Sequence, residues 1–172
     1  MKFGTQFFDN LPWKQRDSIN FVQKAWDRMS PLPGGRRLFT QILSRFVPYT
    51  GSMPFLVEEL RPGYARIALA DHRSVRNHLR SLHAIALANV SELAGSLALT
   101  YSMPDDARFI VKKLNIDYLQ KGRGRVIATC TCPVPTTSER KTYEVTVEVH
   151  NAAGELVCQT ELSILIGPKQ TK

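Results

Sequence analysis

The chain has few of the residues that build disulfide frameworks or metal sites, with three cysteines and four histidines among 172 residues. An odd number of cysteines does not make a disulfide framework. Cys130, Cys132 and Cys158 also have no second Cys pair or Cys/His cluster to complete a four-ligand zinc site. We therefore predict three reduced, partly buried cysteines, no metal and no cofactor, and a cytoplasmic protein.

The sequence also lacks an apolar segment at its start, internal repeats and low-complexity tracts. Residues 1–6 do not resemble a signal peptide. Residues 82–101 are long enough to cross a membrane, but Asn89, Ser91 and Glu92 lie at the centre of this stretch, where a carboxylate is costly. We therefore expect a protein that does not span a membrane.

Charge of one sign is in excess, because 23 Lys and Arg residues face 15 Asp and Glu residues, giving a net charge of +8. Such a charge favours a polyanionic partner, which can be nucleic acid, an anionic membrane surface or a phosphorylated small molecule. The sequence shows no recognised nucleic-acid motif and no interleaving of aromatic and basic residues. Nucleic-acid binding is therefore supported only by the net positive charge, and we expect no nucleic-acid partner.

The most apolar stretch runs from Ala84 to Pro104, where Glu92 is the only charged residue. Alanine and leucine occupy every side of the predicted helix, which is typical of a helix buried in a core. A buried, unpaired carboxylate costs several kcal/mol or changes its pKa. We therefore expect Glu92 to be a buried carboxylate with either a functional or a structural hydrogen-bonding role.

Two amphipathic helices precede this stretch, and strands bracket it on both sides. Residues 55–60 and 65–69 predict a hairpin with a Pro-Gly turn, and four further strands follow Pro104. The first of these, residues 108–118, has the mixed apolar pattern of a strand covered on both faces. One curved antiparallel sheet of about six strands can wrap an apolar helix. We predict an α+β hotdog fold over residues 51–172, preceded by a helical extension over residues 1–50.

The predicted start of the long helix can bind developing negative charge, because main-chain N–H groups of His83, Ala84 and Ile85 lack partners within the helix. Glu92 can act as a base or a nucleophile, and Asn77 can orient a substrate. Eight helical rises separate Ala84 from Glu92, about 12 Å along the axis. If both act on one substrate, they come from two copies of the chain, so a functional site predicts a homodimer.

The pattern of residues around the start of this helix resembles the motif of a known family. Asn77, His83-Ala84-Ile85 and Glu92 are similar to the Asn…His-Gly-Gly…Asp/Glu pattern of PaaI-like hotdog acyl-CoA thioesterases. Residues 114–122 are similar to the family's N-I-x-Y-L-x-P strand, and the resemblance covers about residues 54–166. It implies hydrolysis of an acyl-CoA thioester by a hotdog dimer or tetramer.

The resemblance also implies residue roles. Glu92 would be the base or nucleophile, the N–H of Ala84 would stabilise the oxyanion, and Asn77 would position the thioester or the water. His83 and Ile85 would contact the substrate. CoA, as part of the substrate, would lie along the residues of the strand exit and a later loop, namely Tyr118, Lys121, Arg123, Arg140 and Lys141.

The sequence departs from the family pattern at the double glycine, which is Ala84-Ile85 here. Backbone N–H groups are kept, but the approach to them is narrower. A non-catalytic acyl or acyl-CoA binding protein is therefore an alternative function. Structural alternatives are also open for three residues: His83 as a helix-start residue, Asn77 as a turn residue, and Glu92 as a hydrogen-bonded structural carboxylate.

Overall fold

The computed structural model describes residues 20–169. Three helices come first, then a hairpin, then the long helix, then four strands. The helices are α1 (Phe21–Met29), α2 (Gly35–Phe46), the short α3 (Pro48–Gly51) and α4 (Ala84–Ser102). The strands are β1 (Phe55–Arg61), β2 (Tyr64–Leu69), β3 (Ala107–Tyr118), β4 (Val126–Thr131), β5 (Lys141–His150) and β6 (Leu156–Pro168).

The six strands form one antiparallel sheet in the order β1-β2-β4-β5-β6-β3. Strand alternation gives the sheet an inner apolar face and an outer polar face. On β5, for example, Val145, Val147 and Val149 are buried while Glu144 and Glu148 are exposed. The α+β hotdog architecture predicted from the sequence is confirmed.

Helix α4 lies on the inner face of the sheet and packs against all six strands. The helix and sheet meet closely at Gly95, where an added Cβ would lie 2.3 Å from Cδ1 of Leu162. This helix is long and apolar enough to cross a membrane, but 72% of its apolar window is buried inside the protein. It is therefore the core helix of the fold.

Helix α4 is buried on most sides, as the sequence predicts, but one face is uncovered. Thirteen of its 19 residues are buried, but Ala84 and Ile85 are exposed and Ala88 and Glu92 are half-buried. Residues four apart share one helix face, so Ala84, Ala88 and Glu92 form a stripe that neither the sheet nor α1–α3 covers. Glu92 is correspondingly not the fully buried carboxylate that the sequence predicts.

The prediction that residues 108–118 form a strand covered on both faces is also wrong. In the described part of the chain β3 is an edge strand whose partner is β6. Its apolar side chains Phe109, Ile110 and Tyr118 are exposed, Ile110 by 62%. A strand is buried on both faces only where elements pack on both sides of the sheet, and within residues 20–169 helix α4 packs on the inner face. At the edge of the sheet, β3 also has one neighbouring strand instead of two.

The opposite edge of the sheet is closed by helix α2. The hydroxyl of Thr40 accepts a hydrogen bond from the backbone N–H of Val57 on β1 at 3.1 Å and donates to the carbonyl of Arg36 at 2.8 Å. An open sheet edge presents unpaired backbone groups that pair readily with other strands. Among residues 20–169, one edge of the sheet therefore packs against a helix and the other, at β3, has no neighbouring strand.

The N-terminal helices share the core of the main body. Trp26 of α1 and Phe39 of α2 pack edge to face at 5.1 Å and belong to the same buried cluster as α4. Residues 1–19 of the predicted extension lie outside the described residues. The prediction for the cysteines is confirmed, since Cys130, Cys132 and Cys158 are free and buried.

Candidate active site

The first turn of α4 leaves one backbone N–H group available. His83 is the N-cap, and its Nδ1 accepts a hydrogen bond from the N–H of Ile85 at 3.1 Å. The N–H groups of Ala86 and Leu87 donate to the carbonyl of His83. The N–H of Ala84 has no acceptor among residues 20–169, so it is free to meet a ligand at the positive end of the helix. His83 as a helix-start residue is confirmed.

Asn77 lies at the start of a tight loop that leads into α4. Its Oδ1 accepts hydrogen bonds from the N–H of Leu79 at 2.9 Å and from the N–H and hydroxyl of Ser81 at 3.2 and 3.1 Å. Its Nδ2 donates only one long bond, of 3.5 Å, to the carbonyl of Leu82. Asn77 therefore shapes the loop through its oxygen and can reach a ligand only by donating from Nδ2.

A cavity of about 280 Å³ opens beside the start of α4. It brings together four of the predicted site residues, which are Asn77, Ala84, Tyr118 and Lys121. The Tyr118 hydroxyl donates to the carbonyl of Ala84 at 2.9 Å, which ties the end of β3 to the helix. Burial raises the pKa of Tyr118, and the nearby Cys158 thiol adds to the increase. Tyr118 is therefore a neutral hydrogen-bond donor at physiological pH.

Glu92 lies away from this cavity, on the uncovered stripe of α4. Its Oε1 accepts a hydrogen bond from the hydroxyl of Ser96 at 3.2 Å. Because Ala84 and Glu92 are eight residues apart on one helix, about 12 Å separates them along its axis. Ser96 was not among the predicted site residues, although its position four residues after Glu92 is the spacing that brings two helical side chains together.

The basic residues predicted to bind CoA fall into two groups at opposite ends of the sheet. Tyr118 pairs with Cys158 on β6, whereas Lys141 pairs with Ile166, eight residues further along the same strand. That separation corresponds to roughly 26 Å. Lys121 lines the cavity beside α4, and Arg123 is exposed two residues later.

Arg140 lines a second cavity, of about 590 Å³, on the other end of the sheet. Arg108 and Lys169 also line it, together with apolar residues that include Ile110 and Leu165. Neither Arg108 nor Arg140 forms an ion pair with a carboxylate in the described part of the chain. This end of the sheet is therefore positively charged as well.

Residues 20–169 contain no group of three His, Cys, Asp or Glu side chains arranged to hold a metal ion. The chemistry that this part of the chain can support without a metal depends on the free N–H of Ala84, the carboxylate of Glu92 and the amide of Asn77. These groups suit stabilisation of an oxyanion and proton transfer.

Comparison with known proteins supports this assignment of the fold. The model of the family described as Domain of unknown function (DUF4442) matches residues 35–166. A crystal structure from structural genomics is 27% identical, with a TM-score of 0.74, covering 87% of this chain and 99% of that one. No curated protein sequence matches the chain.

Two further crystal structures are of proteins described as thioesterases. A probable thioesterase from Pseudomonas aeruginosa is 21% identical, with a TM-score of 0.67, and covers 80% of this chain and 97% of that one. A thioesterase family protein from Silicibacter pomeroyi is 14% identical, with a TM-score of 0.65, and covers 76% of this chain and 96% of that one. The chain therefore belongs to the family described as Domain of unknown function (DUF4442), with a hotdog fold that it shares with these thioesterases.

Proposed function

We propose that this protein is an acyl-CoA thioesterase that works as a homodimer. The observation that carries the proposal is the free N–H of Ala84, a residue that lines a cavity and shares the uncovered stripe of α4 with Glu92. An amide at a helix start stabilises negative charge on a carbonyl oxygen, and a carboxylate activates water or attacks the carbonyl. The similarity in fold to proteins described as thioesterases supports this chemistry.

The open edge of β3 supports the dimer. Two copies of an edge strand can pair antiparallel about a twofold axis. Ala84 lies beside Tyr118, and Gly95 lies over Leu162, which pairs with Leu114. Glu92, three residues before Gly95, is therefore level with about Asn115.

Because Ala84 lies beside Tyr118 and Glu92 is level with about Asn115, the proposed site needs a twofold axis midway between these two positions on β3. An axis passing near Ile116 or Asp117 would place the Glu92 of one subunit level with the Ala84 of the other. The uncovered stripes of the two α4 helices would then face each other. Each of the two active sites would combine the helix start of one subunit with the mid-helix carboxylate of its partner.

In the proposed reaction, the thioester carbonyl oxygen accepts a hydrogen bond from the N–H of Ala84. Glu92 of the other subunit removes a proton from a water molecule that attacks the carbonyl carbon, or attacks that carbon itself to form an anhydride that water then hydrolyses. The tetrahedral intermediate collapses, the carbon–sulfur bond breaks, and the CoA sulfur receives a proton. Asn77 donates from Nδ2 to the thioester or the water, and His83 and Ile85 flank the substrate.

The same pairing would join the two separated basic groups. An antiparallel arrangement turns the β3 start of one subunit toward the β3 end of the other. Arg140 and Lys141 of one subunit would then approach Lys121 and Arg123 of its partner. Lys and Arg side chains bind phosphate through charge-assisted hydrogen bonds, so we assign the phosphates of CoA to this combined basic surface.

The test is release of free CoA from a panel of acyl-CoA substrates by wild-type protein, Glu92→Gln and Glu144→Gln. Glu144 is a matched control because its carboxylate also accepts a hydrogen bond from a serine hydroxyl, that of Ser163 at 2.7 Å, but on the outer sheet face. Loss of a general base costs roughly 10²- to 10⁴-fold in rate. We expect that loss in Glu92→Gln only, and equal rates in all three proteins would reject the assignment.

A non-catalytic acyl-CoA binding protein is the second candidate. It is favoured by Ile85, whose side chain is 55% exposed directly after Ala84 and narrows the approach to the free N–H. Saturable binding of CoA esters without release of CoA at any chain length would support binding alone. Turnover that depends on Glu92 would exclude it.

A further inference from the structure

The interior of the protein has no room for an acyl chain between α4 and the sheet. Val90, Ala94 and Ala98 on the helix and Val147 and Leu162 beneath it are fully buried or nearly so. The distance of 2.3 Å from a Cβ added at Gly95 to Leu162 leaves no gap for a further group. A substrate that reaches the start of α4 must therefore place its acyl group elsewhere.

The cavity beside the helix start offers an apolar surface for it. Leu82 and Leu87 contribute to its lining and are otherwise buried, whereas Leu79 and Leu119 line it and are exposed. Ala84, whose N–H is free, lines the same cavity. A thioester whose carbonyl oxygen meets this N–H thus has apolar side chains within reach of its acyl group.

The polar alternative, the pantetheine arm of CoA, fits this surface less well. Pantetheine carries two amides, and burying an amide without a hydrogen bond costs free energy. The Oδ1 of Asn77 already accepts three hydrogen bonds within its loop. Ser81, Tyr118 and Gln120 also line the cavity, but their side-chain donors already form hydrogen bonds within the protein. Lys121, which also lines it, is left for the CoA phosphates, and the four leucines match an alkyl chain.

We propose that the acyl group of the substrate lies in this cavity against Leu82 and Leu87, and that Leu87 limits its length. This inference rests on the proposed function and names the substrate class. The cavity measures about 280 Å³ and is open to solvent. If each chain carbon takes roughly the 30 Å³ of a water molecule, acyl groups of about nine carbons fill it.

The experiment measures binding of S-alkyl-CoA thioethers, which cannot be hydrolysed, as a function of alkyl length by calorimetry. In the wild type we expect affinity to rise about fourfold per methylene and to level off at about nine carbons, the length that fills the cavity at the same space per carbon. In Leu87→Ala the rise should continue for two or three further carbons, because three side-chain carbons have left the cavity.

Leu93→Ala is the matched control. Leu93 is 5% exposed and Leu87 3%, both are on α4, and Leu93 does not line the cavity. The alkyl length at which affinity levels off should be the same in Leu93→Ala as in the wild type. If Leu87→Ala fails to fold, Leu79→Trp replaces an exposed side chain at the cavity and should lower the limit by about two carbons, reckoned at the same space per carbon.

The same limit in Leu87→Ala and Leu93→Ala would overturn the inference, as would an unchanged limit in Leu79→Trp. Affinity that keeps rising to sixteen carbons in the wild type, or no binding of any thioether, would also overturn it. Binding with the expected limit but no CoA release from acyl-CoA would reject the hydrolase and keep the acyl site. The two proposals therefore fail separately.

Discussion

At the scale of single residues, two buried threonine hydroxyls differ in their hydrogen bonding. Thr40 uses its hydroxyl twice, toward Val57 and Arg36. Thr160 on β6 is 0% exposed, and its Oγ1 has no hydrogen-bond partner among residues 20–169. Its register neighbours on the inner face are Ile116 and Val147. A buried hydroxyl without a partner destabilises the fold.

We predict that Thr160→Val raises the free energy of unfolding by about 1 kcal/mol, because it removes an unsatisfied buried group of the same shape. Thr40→Val should lower it by about 1–3 kcal/mol, because it leaves the Val57 N–H without an acceptor. Urea unfolding followed by circular dichroism measures both. Destabilisation by Thr160→Val would show that its hydroxyl has a partner.

The second residue-scale prediction concerns Tyr101, whose hydroxyl donates to Oδ1 of Asp27 at 2.7 Å. Burial, together with the hydrogen bond and charge of Asp27, raises the pKa of Tyr101 to about 12. Between pH 10 and 12 the unfolded chain loses this proton while the folded protein keeps it. The free energy of unfolding therefore falls through that range, by about 2–3 kcal/mol for this group.

Tyr101→Phe should remove this part of the pH dependence. The measurement is the difference in free energy of unfolding between the variant and the wild type at pH 8, 10 and 12. The difference should be constant up to pH 10 and should then shift in favour of the variant. A constant difference up to pH 12 would contradict a raised pKa for Tyr101.

The sequence predicted some residues of the site and not others for a physical reason. The roles of His83 and Ala84 at the helix start follow from local sequence, because capping involves groups within three residues. The exposure of Glu92 could not be predicted. A helix with apolar residues on every side gives no sign of which side its own sheet leaves uncovered.

At the scale of elements, Asn20 joins the start of α1 to the end of α4. Its Oδ1 accepts from the N–H of Gln23, while its Nδ2 donates to the carbonyls of Thr100, Tyr101 and Met103 at 2.6, 3.1 and 3.0 Å. One side chain therefore caps the N-terminal end of α1 and the C-terminal end of α4. An amide carries its acceptor oxygen and its two donor hydrogens on separate atoms, which lets it meet both helix ends at once.

We predict that Asn20→Asp destabilises the protein more than Asn20→Ser, by at least about 1 kcal/mol. Asp and Ser are both good N-caps for α1. The difference in stability between the two variants therefore measures the contribution of the contacts at the C-terminal end of α4. There the Asp carboxylate would face three carbonyl oxygens and the negative end of the helix dipole. Thermal unfolding of the two variants tests this, and equal stability would mean that the Nδ2 bonds contribute little.

The strands show which properties of an element could be predicted from the sequence and which could not. Residues 108–118 were correctly predicted as a strand, because the apolar pattern and the residue types are local properties. The position of β3 at an edge was not predictable, because it depends on β6 pairing with both β3 and β5. Strand order is set by contacts between residues far apart in sequence, which a local pattern does not contain.

At the scale of the whole molecule, the proposed dimer makes a prediction about register. If the twofold axis passes near Ile116 or Asp117, the Asp117→Cys variants of two subunits lie close together, and a short bifunctional thiol reagent should join them. Lys113→Cys is the control on the same outer face. Its two copies would lie roughly 23 Å apart along the strands.

We expect a cross-linked species of twice the 19.4 kDa chain mass for Asp117→Cys and little for Lys113→Cys, on denaturing gels. The native cysteines are buried and should react slowly with the reagent. Efficient cross-linking of Lys113→Cys alone would move the axis toward the start of β3. A monomer in light scattering would reject the dimer.

The closed edge at β1 also limits how far such molecules can associate. With two open edges, pairing would add copy after copy, as in a fibril. Because α2 and the Thr40 hydroxyl occupy the β1 edge, a molecule that pairs through β3 has no second edge to offer. Growth then stops at two copies and one continuous sheet. In the proposed dimer, helix α2 would therefore limit edge-to-edge pairing to two copies.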